Sequence, residues 1–109
     1  MISWEDFEKI DMRVGTILQV ENFEKARRPA FQLTIDFGAL GIKKSSAQIK
    51  DLYTEEELLG KQVIAVVNFP VKQIANFFSE CLVLGVYNSE QHVVLIAPGK
   101  PVANGDRIG

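Results

Sequence analysis

The chain has 109 residues, 47% of them hydrophobic and 24% charged, with a formal net charge of −2. That length holds one domain, residues 1–109, and excludes a two-domain enzyme; a chain of this size buries roughly two-thirds of its unfolded surface without covalent staples. A single Cys81 excludes a disulfide framework, and one cysteine with one His92 leaves too few soft ligands for a structural metal.

The first residues, Met1–Asp6, have no basic stretch leading into an apolar run. No later stretch reaches the ~20 apolar residues of a membrane span. The expectation is a cytoplasmic protein with no signal peptide and no membrane insertion, and the free thiol fits a reducing compartment. Ser3 precedes Asp6 by three residues, and Trp4, Phe7 and Ile10 recur at helical spacing, which predicts a short helix within residues 1–10. From Met12 to Val20 the apolar residues alternate with Arg13, Gly15 and Gln19, the pattern of a strand in which Gly15 marks a bulge or sharp coil. Phe31, Leu33, Ile35 and Phe37 alternate with Gln32, Thr34 and Asp36, the clearest half-buried strand in the chain.

Gly38 and Gly41 punctuate a turn before a third strand at 42–47. Thr54–Glu57 is a capping box, and Gly60 is placed to end the short helix that follows. Residues 62–67, 81–86 and 93–96 are apolar runs of strand length, and Asn88–Gln91 turns between the last two. Pro98-Gly99, Pro101 and Asn104-Gly105 keep the tail in turns. Six short strands without βαβ spacing predict an all-β fold. The candidate is a five-stranded Greek-key OB-fold barrel, with short helices at the N-terminus and between strands.

No nucleotide loop, nucleophile elbow or zincin motif is present, so the expectation is a non-enzyme with no catalytic residue, metal or cofactor. Glu55, Glu56 and Glu57 sit where a helix N-terminus favours negative charge. The distribution of charge says more than its total. Residues 1–24 carry −4 and residues 51–109 carry −3, whereas residues 25–50 set six cations against Asp36 alone and carry +5. That basic block covers predicted strands two and three, the face on which OB-type barrels lay oligonucleotides. Lys43 and Lys44 there would meet phosphates, and Ser46 and Gln48 could bond ribose or base edges. Asn68-Phe69-Pro70 reads as a turn beside Lys72. Phe77 and Phe78 offer an aromatic for stacking or for docking apolar side chains, with core packing claiming at least one of them.

Four ordered blocks carry a resemblance: Asp11–Ile17, Leu33–Gly38, Leu59–Phe69 and Ser79–Leu84, followed by Val102–Asp106 near the end. Together they resemble the tRNA-binding domain family, which includes the C-terminal appendix of bacterial methionyl-tRNA synthetase and the cytokine-like domain of its eukaryotic cofactors. The likeness spans residues 7–109. Residues 26–30 and 42–49 look like its small stand-alone bacterial branch, described as protein-export chaperones. The resemblance implies an OB-fold homodimer with affinity for tRNA and for unfolded or precursor polypeptides, and with a link to export machinery. It implies an RNA-side block near Asn68, Lys72, Ser79 and Glu80. With Arg13, Lys43, Lys44, Ser46 and Gln48 these form the candidate RNA-binding set; Phe77 and Phe78 are the candidate peptide anchors. Trp4 and Phe7, on a helix that a small barrel need not bury, are the candidate dimer contact; the alternative is that this helix plugs one end of its own barrel. The expected function is an export-related chaperone that also binds tRNA, or else a stand-alone tRNA-binding protein without a chaperone role.

Overall fold

The computed structural model describes residues 1–109. In chain order it contains α1 (Trp4–Glu8), β1 (Met12–Asn22), β2 (Phe31–Asp36), a 3-10 turn (Gly38–Leu40), β3 (Ile42–Ala47) and α2 (Glu55–Leu58). Then follow β4 (Gln62–Val66), β5 (Lys72–Ile74), β6 (Phe77–Ser79), β7 (Leu82–Val83), β8 (Gly85–Tyr87) and β9 (Val93–Leu95). An antiparallel five-stranded sheet in the order β3-β2-β1-β4-β7 curls until β3 lies against β6 and β7. The result is the expected all-β, nearly closed OB-type barrel.

Alternation along β2 drives the core. Phe31, Leu33 and Ile35 point inward and are buried, while Gln32, Thr34 and Asp36 are half-exposed. They meet Ile17, Phe37 and Val63, and Leu58 of α2 plugs the barrel with no exposed surface. Burying each such aliphatic side chain contributes about 1.5–3 kcal/mol. Both capping boxes form: Ser3 Oγ accepts from Asp6 N and Thr54 Oγ1 accepts from Glu57 N. α1, in contrast, buries no residue, so it does not plug the barrel.

Two local readings are corrected, and one hairpin is new. The bulge in β1 falls between Ile17 and Gln19, not at Gly15. Gly15 makes room instead: a Cβ there would stand 2.6 Å from Ile35 Cγ2 and 2.7 Å from the Phe37 ring. The run 81–86 is not one strand of one sheet. Leu84 N donates to Ile64 O of β4 while Leu84 O accepts from Ile96 N beyond β9, so the chain changes partner at this residue. The β5–β6 hairpin carries no prediction; its two-residue turn, Ala75-Asn76, holds Ala75 at φ 54 in place of a glycine. Phe77 of this hairpin packs on Phe23 and Ala30 as a small second core.

The tail runs back along β1. Gly105 N donates to Val14 O, Val14 N to Asp106 O and Ile108 N to Met12 O, at 2.7–2.9 Å.

Candidate functional site

The barrel seam runs between β3 and residues 79–87. Bonding parity along β3 is fixed by Phe37 N donating to Gly41 O and by the β2–β3 register. The odd residues of β3 bond to β2, so Lys44, Ser46 and then Gln48 turn their backbone groups toward the seam. At one end the seam is closed by one backbone hydrogen bond and by side chains. Glu80 N donates to Lys44 O (2.7 Å), and Lys44 N donates to Glu80 Oε1 (3.0 Å). Ser46 N donates to Ser79 Oγ (3.2 Å), and the buried Ser45 Oγ donates to Cys81 O (3.0 Å). Cys81 lies in this closed end, where burial, assisted by the Glu80 carboxylate, pushes its thiol up to about 12. It is a neutral packing group and no nucleophile.

Beyond Ser46 the seam opens into a groove of about 930 Å³. Its floor and walls include Ile49, Val83, Leu84 and Val93, and its rim carries Arg28, Lys50 and Lys72 against Asp51. Lys50 is held over the Phe31 ring at 5.2 Å and bonds Asn22 Oδ1. Tyr87, largely exposed, stands at the mouth. On the far side of Lys72 and Ser79 lies a smaller hollow of about 400 Å³, lined by Phe69, Val71 and Leu82. Those three residues and nearby Phe78 are each about half exposed.

Of the residues singled out from sequence, Ser46, Gln48, Lys72 and Ser79 come together at the groove. Lys44 is exposed above the closed end and Lys43 is half-buried near Cys81. Several candidates also make contacts within the chain. Arg13 pairs with Asp11 at 2.6 Å and donates to Gly105 O at 3.0 Å, which ties the tail to β1. Asn68 Oδ1 accepts from Asp11 N at 3.0 Å and its Nδ2 donates to Lys9 O at 2.7 Å, anchoring the end of α1 on the end of β4. Ser79 and Glu80 fasten the seam. Phe77 is 7% exposed in the second core and cannot dock a ligand as it stands; Phe78, 56% exposed, can. Trp4 is 84% exposed and Phe7 half-buried, away from the groove residues. The groove also recruits Arg28, Lys50 and Tyr87, which sequence reading leaves out. Arg28 and Lys50 belong to the +5 block, so the charge profile was their signal; Tyr87 had none.

Comparison with known proteins adds the family. A model described as "Putative tRNA binding domain" matches residues 12–107. The chain belongs to that family. Solved members resemble it closely. Chaperone CsaA from Bacillus anthracis is 50% identical, with a TM-score of 0.95 over 100% of this chain and 99% of its own. CsaA chaperone protein from Picrophilus torridus is 51% identical, with a TM-score of 0.94 over both whole chains. Among curated relatives, the methionine–tRNA ligase of Porphyromonas gingivalis is 36% identical over 98% of this chain but only 15% of its own length. This chain therefore spans about a seventh of that ligase.

Proposed function

We propose that this tRNA-binding-domain protein is a non-catalytic, export-related chaperone that holds unfolded or precursor polypeptides and also binds tRNA. The observation that carries the reading is an open, cation-rimmed groove with an apolar floor, beside the half-exposed Phe69, Val71, Phe78 and Leu82, on a chain similar end to end to CsaA chaperones. Apolar surface of this kind suits extended client segments. The exposed Lys44, with Ser46 and Gln48 on the outer face of β3, nearby Lys72 and the half-buried Lys43, suit phosphate and ribose contacts. The protein works in the cytoplasm as a homodimer joined through Trp4 and Phe7, and its clients include precursors on their way to export machinery.

Titrating labelled tRNA and a labelled unfolded peptide at low and moderate salt tests this. If about three phosphates are neutralised, tRNA affinity falls about 40-fold between roughly 50 and 200 mM salt. Affinity for an uncharged unfolded peptide changes little, and aggregation of a denatured client is suppressed without ATP. The double variant Lys43→Ala, Lys44→Ala weakens tRNA alone; unchanged tRNA binding in that variant removes the face assignment. The second reading, a tRNA-binding protein with no chaperone role, rests on the family match; tRNA binding without client protection selects it.

A further inference from the structure

The groove is bounded by two strand edges whose backbone groups have no partner. In the β8–β9 hairpin, Asn88 N donates to His92 O and Gln91 N to Asn88 O, so residues 88 and 92 form a hydrogen-bonded pair. The register then makes 86 with 94 and 84 with 96 the bonded pairs, as the bond from Ile96 N to Leu84 O shows. The same even residues, 82 and 84, bond β4. Val83, Gly85 and Tyr87 therefore turn their N–H and C=O groups to the other side, and all three line the groove. Across from them Gln48 presents an N–H and a C=O that bond nothing in the chain. The seam is stitched from Lys44 to Ser46 and left open below.

We infer that the groove binds its polypeptide as an added β-strand on the edge formed by Val83, Gly85 and Tyr87. The occupant is an extended aliphatic segment with acidic flanks. This rests on the chaperone reading above and specifies how the client is held. Free edges recruit extended chains because each N–H and C=O needs a partner. Main-chain bonding would give affinity with little dependence on sequence, while the floor of Ile49, Val83 and Leu84 takes alternate apolar side chains. Arg28, Lys50 and Lys72 outnumber Asp51 at the rim and match acidic flanks. The edge also argues for peptide over RNA here. An added strand offers an N–H and a C=O from the same residue to each bonding residue of the edge, whereas the phosphates of RNA offer acceptors only and its donors are confined to the 2′-OH and the base edges.

The test uses the intact protein and a fluorescent peptide about ten residues long, the upper range of a strand, with alternating valine and threonine between terminal aspartates. Two analogues carry backbone N-methyl groups, on the valines in one and on the threonines in the other. Because side-chain face and N–H direction alternate together, only one series aims its N–H groups at the edge. The expected result is a loss of about tenfold or more for one analogue and near-normal binding for the other. Amide hydrogen exchange at Val83, Gly85 and Tyr87 should slow when the parent peptide binds. Equal effects of the two methylations, with the parent bound and clients protected, overturn strand addition and leave the chaperone reading standing. Failure to bind the parent, together with no client protection, overturns both. Complete displacement of the peptide by tRNA, with exchange at those three amides slowed by tRNA itself, assigns the groove to RNA and overturns the proposal.

Discussion

Asn68 separates a residue that touches ligand from one that holds the fold. Its amide accepts from Asp11 N and donates to Lys9 O, so Asn68→Ala deletes two hydrogen bonds between the end of α1 and the end of β4. A neutral hydrogen bond contributes about 0.5–1.5 kcal/mol net, and both groups here are reachable by water, so the expected loss is about 1–2 kcal/mol. For a domain of this size each kcal/mol is worth about 4 °C or more in Tm. Asn68→Asp keeps the acceptor for Asp11 N and loses the donor to Lys9 O, so its bonding loss should be intermediate. The assay is urea unfolding of the three proteins, paired with tRNA titration at a temperature where all are fully folded. Stability should drop with an unchanged urea slope, and tRNA affinity should stay within about twofold. The reasoning is refuted if Asn68→Ala unfolds at the wild-type urea concentration yet binds tRNA ten times more weakly.

Other outcomes follow from single features. Ala75→Gly relieves a left-handed backbone at φ 54 and should stabilise the fold by up to about 1 kcal/mol after the entropy that glycine adds to the unfolded chain, read as a higher urea midpoint. Burial lets the folded Cys81 thiol keep its proton to about pH 12, above the unfolded value of 9.0. Its contribution is complete below about pH 9 and fades as pH climbs toward 12, so between pH 8 and 10 the wild type should lose about 1 kcal/mol more than Cys81→Ala in urea melts. Trp4→Ala removes the most exposed aromatic of α1, and sedimentation at low micromolar concentration should show more monomer than wild type; an unchanged dimer would discard the Trp4 contact.

Much of the barrel was readable because its signals are local. The alternation from Phe31 to Phe37 and the two capping boxes each lie within a few residues, and each forms as read. What escaped depends on partners far along the chain. Ser79 and Glu80, read as part of a ligand-side block, also bond β3, more than thirty positions earlier. Arg13 finds Gly105 across 92 residues and Asn68 finds Lys9 across 59. Hydrogen-bonding side chains of this kind carry the same local signature whether they face solvent or another strand. The β5–β6 hairpin was missed for a different reason: its strands are three residues long and its turn lacks the glycine that usually marks one. The groove's cations were visible as a block of charge, but only folding picks Arg28 and Lys50 from it.

The return of the tail along β1 brings the two ends of the chain to one corner, with Arg107 Nη2 donating to Glu8 O at 3.1 Å and Ile108 N donating to Met12 O. A polypeptide can thus enter and leave this barrel at nearly the same point. Spliced into a larger protein, the module demands almost no span from its host, whether joined at one end or inserted by both. A linker long enough to pass α1 should join residues 1 and 109 and close the chain into a circle without bending a strand. New ends could then be opened in the exposed turn at 25–29, far in sequence from the stitched seam.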